Sequence, residues 1–329
     1  MKIKTFKKIV ISRTDSIGDV ALTLPLAGIL REKYPDAHIV FLGNTYTKPV
    51  IECVDSIDEV WCWADIQAMG QQQQVFWLKE QNVDVFIHVF PRKELAKLAK
   101  KAGIAHRIGT LHRLFHLFNC NHRTNFSRKK SDLHEAQLNT KLLKPLGLLH
   151  DFSLSELAQY AQLRTVNTLD DELKSLINSK KKQVILHPKS KGSAIEWGVD
   201  KFIALAASLP ADKYQVFFSG TQEESAFFSS KLPDAENIID LSGKMTLEQL
   251  IAFIGRCHIL VAASTGPLHI AGLSNIKTIG LFSEQRPLHP GRWMPLGKRV
   301  TIITQEPAAQ SSSLLNISVE RVKSEILAL

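Results

Sequence analysis

The chain is poor in cysteine and has no long apolar run, and each absence excludes a class of protein. Only four of its 329 residues are cysteine, and none forms a CxxC pair or lies at the spacing of zinc ligands. Scattered thiols of this kind are typical of a reducing compartment, so we expect a cytoplasmic protein with inert cysteines. No apolar stretch reaches the roughly 18 residues that a membrane span requires. The start, MKIKTFKKIVISRTDS, has too short an apolar run for a secretory signal.

Two motifs that bind phosphates or metals are also missing. The sequence has no Walker loop, GxxxxGK[ST], and no DxD pair of carboxylates. If this chain acts on a substrate with a diphosphate leaving group, lysine, histidine and helix N–H groups would neutralise that diphosphate instead of Mg²⁺. We therefore expect no metal and no cofactor.

Basic residues outnumber acidic ones. Lysine and arginine number 41 and aspartate and glutamate 32, which gives a net charge of +9 and a pI near 9.3. This excess favours anionic partners such as nucleic acid, phosphorylated sugars, nucleotide diphosphates or an acidic membrane face, although a merely soluble basic surface is the alternative. Because no recognisable RNA- or DNA-binding motif accompanies the charge, we expect no nucleic acid partner.

Strand-like and helix-like segments alternate through both halves of the chain. Continuous β-branched runs such as KIVISR and VILHP predict buried strands, and segments with apolar residues at helical spacing follow them. This alternation indicates crossover connections and parallel sheets, so the fold class is α/β. We expect two doubly wound, Rossmann-like domains, residues 1–165 and 166–329, with the boundary near 164–168. Ligands of such folds collect at the carboxyl ends of the strands, hence in a cleft between the domains.

Several single elements are predicted as well. DVALTLPLAGILREKYP is predicted to be one helix, which Pro35 ends, and EESAFFSSKL another. After the short strand HRIGTL, the rest of residues 107–130 is predicted to be an irregular loop rich in Arg, His and Asn. The last helix, within SVERVKSEILAL, is a candidate to pack back on the amino-terminal domain.

The stretch AASTGPLHIAGL turns from a strand into a helix whose first position holds Pro267. Proline fits there because its missing N–H is not needed. The exposed N–H groups of such a helix start bind phosphate oxygens, with Thr265 adding a hydroxyl and His269 an imidazole. The alternative is a threonine N-cap and a buried histidine that the backbone satisfies.

Two further segments follow predicted strands. HPKSKGSAIEW supplies Lys189, Ser190 and Lys191 in a Gly-containing loop, which suits a diphosphate or is simply a solvated basic loop. In SGTQEES, Glu223 or Glu224 lies where an acid accepts hydrogen bonds from ribose hydroxyls in dinucleotide-binding folds. The alternative is an ordinary acidic first turn of a helix.

Asp19 comes directly after Gly18 in ISRTDSIGDVALTLPL, where a strand hands over to a helix. As a helix cap Asp19 would be ordinary, but Ser16 or Asp15 could cap equally well. Gly18 lets a ligand approach the backbone closely. A carboxylate in a cleft opposite a phosphate site can take a proton from a sugar hydroxyl, so Asp19 is the candidate general base.

Together these segments resemble glycosyltransferase family 9, the ADP-heptose:lipopolysaccharide heptosyltransferases. The resemblance rests on SRTDSIGDVALTLPL, HPKSKGS with its following tryptophan, ASTGPLHIAGL and TIGLFSEQRPLHPGRWMPLG, and it runs from about residue 8 to 300. HEAQLNTKLLKPLG is similar to the family's mid-chain segment. The resemblance implies a GT-B fold, with the acceptor bound by the first domain and the nucleotide sugar by the second. It also implies catalysis without a metal and inversion at the anomeric carbon.

The resemblance also implies roles for matching residues. Asp19 corresponds to the family's general base, Thr265 with Gly266 and His269 to its phosphate clamp, and Glu223 or Glu224 to its ribose-binding acid. The donor-binding candidates are Lys189, Ser190, Lys191, Glu223, Glu224, Ser264, Thr265, Gly266 and His269.

Two positions depart from the family pattern. Ile195 stands where many members have lysine, so Lys189 or Lys191 is expected to take over the phosphate contact. Ser264 stands where heptosyltransferases often have aspartate, near the donor sugar, so the identity of the sugar is open.

The function implied is transfer of heptose from ADP-heptose to the inner core of a lipopolysaccharide precursor. The acceptor is then an anionic lipid-linked saccharide, and the protein lies peripherally at the inner face of the inner membrane. Basic residues within 107–130 are expected to hold the acceptor, a flexible solvated loop being the alternative. The acceptor-binding candidates are Arg13, Gly18, Arg113, Arg123, Arg128, Lys129 and Lys130.

Three other functions stay open at this point. They are transfer from a different nucleotide sugar, a nucleotide-sugar epimerase with the same two-domain plan, and a non-catalytic relative that binds lipopolysaccharide or a nucleotide. The departures from the family pattern at Ile195 and Ser264 are the reason to consider a non-catalytic relative.

Overall fold

The chain divides into two compact units, residues 1–164 and 165–329. A computed structural model describes residues 5–164, 169–305 and 313–328. Of the expected boundary segment 164–168, only Arg164 lies within the described residues.

The first unit is built on a parallel sheet of six strands in the order β3-β2-β1-β4-β5-β6. Its central strands are continuous apolar runs, because helices cover both faces of a parallel sheet. The strands are β1 Lys8–Ser12, β2 His38–Gly43, β3 Glu59–Cys62, β4 Val85–His88, β5 His106–Thr110 and β6 His122–Thr124. The helices are α1 Ile17–Ala21, α2 Pro25–Lys33, α3 Lys48–Ile51, α4 Trp63–Gln67, α5 Gln71–Glu80, α6 Lys93–Lys101, α7 Leu114–Asn119, α8 Glu135–Thr140 and α9 Leu154–Gln159.

The second unit has a parallel sheet of the same size, in the order β12-β11-β10-β7-β8-β9. The strands are β7 Lys182–His187, β8 Tyr214–Phe218, β9 Ile238–Asp240, β10 Ile259–Ala263, β11 Lys277–Phe282 and β12 Val300–Thr304. The helices are α10 Asp171–Ser175, α11 Val199–Ser208, α12 Gln222–Ser225, α13 Leu247–Ile254, α14 Gly266–Leu273, α15 Pro290–Trp293 and α16 Val319–Leu327.

Both sheets follow the doubly wound strand order 3-2-1-4-5-6 when each is counted from its own first strand. The order reverses between β1 and β4 in the first unit and between β7 and β10 in the second. We call these places the first and second switch points. Crossover connections leave in opposite directions there, so each sheet opens a crevice at the carboxyl ends of those strands.

The second unit closes its core with the end of the chain. Trp197 is fully buried and its indole N–H donates to the carbonyl of Ile317 at 2.8 Å. The last helix, α16, packs against α11 and buries Val322 and Ile326 in the core of its own unit.

The structure corrects three of the predicted elements. The segment expected as one helix is two, α1 and α2, because Pro25 has no N–H to continue the first and instead begins the second. The segment EESAFFSSKL is not one helix: it holds only the last three residues of the four-residue α12 and a 3₁₀ turn, Ser229–Lys231.

The prediction of an irregular loop within residues 107–130 is also wrong, because that segment contains α7 and the edge strand β6. The apolar positions of α7 face outward, so the helix lacked the buried stripe that sequence periodicity detects. Strand β12 was not expected, and its pattern is only half-buried because it lies at the sheet edge.

No helix in the described ranges is long and apolar enough to cross a membrane.

Candidate functional site

An arginine at the first switch point gathers three carboxylates. Arg13 follows β1 directly, and its side chain is buried. Its guanidinium donates to Asp15 Oδ1 at 2.7 Å, to Glu135 Oε1 at 3.1 Å and to Asp19 Oδ1. Burial works against a charged guanidinium, but the attraction of Asp15, Asp19 and Glu135 outweighs it and raises the pKa of Arg13. Arg13 is therefore a fixed positive charge that orients acids from two distant parts of the chain.

Asp19 is held from both sides and is not the cap of α1. Ser16 is the N-cap, and its hydroxyl oxygen accepts from the backbone N–H of Asp19 at 3.4 Å. The same hydroxyl donates to Asp19 Oδ2 at 2.6 Å, while Arg13 binds Oδ1. The Asp19 side chain is 20% exposed. The carboxylate is thus oriented, reachable from solvent and not engaged in capping. Gly18 precedes it within α1, and its carbonyl accepts from Leu22 N at 3.0 Å.

Asp15 is a second acid in the same cluster. Burial, and then the nearby charge of Asp19, raise the pKa of Asp15 to about 6, although Arg13 pulls in the opposite direction. The first switch point therefore holds two neighbouring carboxyl groups, one of which titrates near neutrality.

Glu135 is a site residue that sequence reasoning missed. It lies in the first turn of α8, fully buried, and Arg128 Nε donates to its Oε1 at 2.8 Å. Arg128 also donates to Asn139 Oδ1 at 2.8 Å. An acid in the first turn of a helix looks ordinary in a sequence, and only the fold brings Glu135 to Arg13.

The other acceptor-binding candidates lie at the start of α7, in β6 and in the segment after β6. Arg113 is the exposed N-cap residue of α7. Arg123 donates to the carbonyls of Leu117 and Cys120, at 2.9 and 3.2 Å. Lys129 and Lys130 are exposed.

Two buried histidines lie beside the first switch point. His88 ends β4, and neither of its ring nitrogens has a hydrogen-bond partner among the described residues. The ring centroids of His88 and His116 are 5.6 Å apart. Burial lowers the pKa of both rings, and that of His116 falls to about 4.

At the second switch point β10 turns into α14. Thr265 is the N-cap residue of α14 by backbone geometry, but its side chain makes no capping bond. Its buried Oγ1 has no hydrogen-bond partner among the described residues. His269 is buried one turn into the helix, and its backbone N–H donates to the carbonyl of Thr265 at 3.3 Å. A buried hydroxyl at a helix start with no protein partner is suited to an outside acceptor.

The loop after β7 meets the loop after β10. Ser193 donates to the carbonyl of Ser264 at 3.1 Å and to that of Ser190 at 2.8 Å. The turn that makes this contact has positive φ at Lys191 and at Gly192, +49° and +79°. The predicted donor-binding segments of the second unit are therefore neighbours.

The two candidate lysines of this loop differ in their surroundings. Lys189 Nζ lies 2.6 Å from Glu196 Oε2, and it stands 4.6 Å from the ring centroid of Phe227. Lys191 is 62% exposed and only 3.8 Å from Glu223 Oε2. Glu196, a second residue missed from the sequence, also accepts from Ser190 N at 2.9 Å. Burial alone would raise the pKa of Glu196, but these hydrogen bonds and the Lys189 charge lower it.

The two candidate ribose-binding acids also differ. Glu224 is buried, and its Oε2 accepts from the backbone N–H of Thr221 at 2.8 Å in a capping box. Glu223 is 80% exposed. Of the two, Glu223 keeps its carboxylate open to a ligand.

Within the described residues, no group of three or more His, Cys, Asp and Glu side chains could hold a metal ion.

Comparison with known proteins gives a consistent result. The sequence model of glycosyltransferase family 9 (heptosyltransferase) matches residues 76–317. A Haemophilus influenzae protein named, as a provisional assignment, a glycosyltransferase is 26% identical over 97% of this chain and 96% of its own length. Among solved structures, the family 9 glycosyl transferase from Veillonella parvula has a TM-score of 0.82 and 19% identity, covering 100% of this chain and 98% of that one. The ADP-heptose lipopolysaccharide heptosyltransferase II of Escherichia coli has a TM-score of 0.75 and 19% identity, covering 98% of both chains. These matches confirm the GT-B fold class.

Proposed function

This chain belongs to glycosyltransferase family 9, and from that membership and the two switch-point sites we propose that it transfers heptose from ADP-heptose to a lipopolysaccharide precursor. That it is a glycosyltransferase follows from the family. The donor, the acceptor and the residues that act are the proposal. The acceptor is an anionic lipid-linked saccharide of the inner core, and transfer inverts the anomeric carbon.

One observation carries the proposal: the Asp19 carboxylate is oriented by Arg13 and Ser16, partly exposed, and not used as a cap. In the proposed step Asp19 takes the proton of the acceptor hydroxyl as that oxygen attacks the anomeric carbon. The new carbon–oxygen bond forms as the bond from the anomeric carbon to the diphosphate breaks. The mechanism requires that Asp19 reach the acceptor hydroxyl while the acceptor lies beside the donor.

On the donor side, the start of α14 is proposed to bind the diphosphate. Thr265 supplies its unpartnered hydroxyl, Gly266 and the first turn supply backbone N–H groups, and His269 lies one turn further on. Ser264 is proposed to lie near the donor sugar. These groups stabilise the leaving diphosphate without a metal or cofactor.

The two lysines are proposed to divide the remaining work. Lys191 is the more exposed cation, and it takes the place of the lysine that many family members have at the position of Ile195. Lys189 is already neutralised by Glu196, which also binds the backbone N–H of Ser190, so this ion pair orders the loop. Glu223 is the proposed ribose-binding acid, because the Glu224 carboxylate is engaged in the capping box.

On the acceptor side, the basic residues of 107–130 are proposed to bind the phosphorylated saccharide. Arg113, Arg123, Lys129 and Lys130 are the exposed cations among the candidates, whereas Arg13 and Arg128 are bound to carboxylates. Arg13 is therefore proposed to position Asp19 rather than to touch the acceptor. A lipid-linked acceptor places the protein peripherally at the inner face of the inner membrane.

Asp19→Asn tests the proposal, with Asp15→Asn as the matched control. Both variants remove one negative charge bound to Arg13, but only Asp19→Asn removes the proposed base. We expect transfer from ADP-heptose to fall by about 10²–10⁴-fold in Asp19→Asn and far less in Asp15→Asn, with ADP affinity unchanged in both. Near-wild-type transfer by a folded Asp19→Asn would remove Asp19 from the mechanism.

Ligand screening and product analysis separate the other functions. Thermal-shift screening against ADP, UDP, GDP and ADP-heptose identifies the nucleotide by the ligand that raises the apparent stability. Epimerised sugar formed without acceptor would favour an epimerase. A chain that binds nucleotide but neither hydrolyses nor transfers any donor would be a non-catalytic relative.

A further inference from the structure

The outward face of α7 is apolar. Its outward positions are Leu114, Leu117 and Phe118, with exposed fractions of 73%, 41% and 68%. They are spaced i, i+3 and i+4 and therefore lie on one side of the helix. The opposite side holds His116, which is fully buried. This is the reverse of the pattern expected for a helix that packs on a core, and a grouped set of exposed apolar side chains is typical of an interaction surface.

Cations border this apolar face. Lys100 Nζ, at the end of α6, donates to the carbonyl of Phe118 at 2.8 Å. From the next strand, Arg123 donates to the carbonyl of Leu117 at 2.9 Å. Helix α6 packs against α7 and exposes three further lysines, Lys93, Lys97 and Lys101. Ammonium and guanidinium groups are thus fixed at the rim of the apolar face.

The positive charge of the whole chain is concentrated in this segment. Residues 92–132 contain eleven Lys and Arg but only two acidic residues, an excess of +9 that equals the net charge of the 329-residue chain. The rest of the sequence is therefore neutral in sum. A partner that carries negative charge around an apolar interior would complement this surface.

We propose that Leu114, Leu117 and Phe118 with the exposed α6 lysines, together called the docking surface, bind the surface of an anionic lipid bilayer. The leucine and phenylalanine side chains enter the boundary between headgroups and acyl chains, while the lysines remain at the level of the lipid phosphates. A second copy of the chain fits less well, because a symmetric contact would bring two such basic segments together. The proposal rests on the proposed function in one respect, namely that a lipid-linked acceptor requires the enzyme to work at a membrane.

Vesicle binding by the full chain, without donor or acceptor, tests the docking surface. We expect co-sedimentation with vesicles of phosphatidylglycerol and phosphatidylcholine, much weaker binding to phosphatidylcholine alone, and loss of binding as salt is raised. Leu114→Ser with Phe118→Ser should lower the vesicle partition coefficient by on the order of tenfold per side chain. The matched control is Phe76→Ser, which removes a 66% exposed aromatic from α5 and should bind like the wild type.

Charge is tested separately from apolar contact. Lys97→Glu with Lys101→Glu should abolish the preference for anionic vesicles, whereas the control pair Lys33→Glu and Lys79→Glu, equal in charge and exposed elsewhere on the same unit, should retain most of it. If the double variant Leu114→Ser with Phe118→Ser, here called the α7 variant, binds vesicles as well as Phe76→Ser does, the docking surface is not a bilayer contact. A concentration-dependent dimer that only the α7 variant loses, seen by analytical ultracentrifugation, would assign the face to a second copy instead.

The outcome can be separated from that of the proposed function. Transfer to a deacylated, water-soluble acceptor should be unchanged in the α7 variant, because that reaction needs no bilayer. Failure of transfer in the wild type would overturn the proposed function while leaving vesicle binding to be judged by itself.

Discussion

At the scale of single residues, the proposed donor site depends most on the buried hydroxyl of Thr265. Thr265 Oγ1 is buried at the start of α14 and has no partner among the described residues. Leaving such a hydroxyl unpaired costs about 1–3 kcal/mol, a cost that a hydrogen bond to a bound phosphate would remove.

Thr265→Val tests that use, since valine has the same shape without the hydroxyl. We expect the free energy of unfolding to stay the same or to rise by up to about 1 kcal/mol, because an unsatisfied polar group is removed. ADP affinity should fall by about tenfold, measured by calorimetry, because a hydrogen bond to a charged phosphate is lost. Thr265→Ser keeps the hydroxyl and should restore most of the affinity; unchanged ADP binding in the valine variant would mean that the hydroxyl does not contact the donor.

A second residue-scale prediction concerns acid stability. The pKa of His116 is about 4 in the folded chain, chiefly because burial disfavours the imidazolium, and 6.5 is the ordinary value. Between these two pH values the unfolded chain binds a proton that the folded chain does not. Stability that is complete above pH 6.5 is therefore lost as the pH falls towards 4, at up to about 1.4 kcal/mol per pH unit for this group.

Urea unfolding measured across this pH range checks the effect. His116→Asn should make the decline of unfolding free energy with falling pH shallower than in the wild type. His88 is also buried with a lowered pKa, so some slope will remain in His116→Asn. Identical slopes in the wild type and His116→Asn would show that this ring does not govern acid unfolding.

At the scale of elements, the position of α14 depends on close contact between backbones. A Cβ atom at Gly272 would lie 2.4 Å from the carbonyl oxygen of Leu296 and 3.0 Å from Pro295 Cβ. Glycine is therefore required here for packing, in a helix whose other end is the proposed phosphate site.

Gly272→Ala should lower the unfolding free energy of the second unit by about 1–3 kcal/mol through overpacking. It should also weaken ADP binding, because α14 must shift to relieve the clash. Gly255→Ala is the control, since a Cβ there meets nothing nearer than 3.6 Å. Thermal unfolding and ADP titration of both variants measure the two effects. If Gly272→Ala is as stable as Gly255→Ala, the segment 295–297 moves aside without cost.

Elements also show where sequence patterns misled. Apolar spacing across ALTLPLAGIL suggested one helix, yet Pro25 begins a new one. The α7 segment looked irregular because its leucines and phenylalanine have no core to face. Both errors arise because apolar periodicity detects the buried face of a helix. It does not detect a proline that divides one apolar pattern into two helices, or a helix whose apolar face is exposed.

At the scale of the whole molecule, the two units each carry one switch point and one set of candidate residues. If the second unit binds the donor, a nucleotide should stabilise that unit selectively, because a ligand stabilises only the fold that binds it. ADP at 100 times its dissociation constant should add about 2.7 kcal/mol.

Hydrogen exchange with and without ADP measures this selectivity. We expect protection at residues 187–193 and 264–270 in the second unit and little change around Asp19 in the first. Protection confined to the first unit would reverse the proposed assignment of donor and acceptor.

The sequence by itself determined the α/β class, the alternation of strands and helices, and the presence of Asp19 and Thr265 at strand-to-helix turns, because these features are written in local patterns of burial and turn chemistry. Only the tertiary structure decided what surrounds them. Glu135 reaches Arg13 across 122 positions of sequence, and Glu196 neutralises Lys189 while Lys191 stays exposed. Such contacts depend on crossover connections that bring distant strand ends together, and no local pattern encodes which charged groups will meet there.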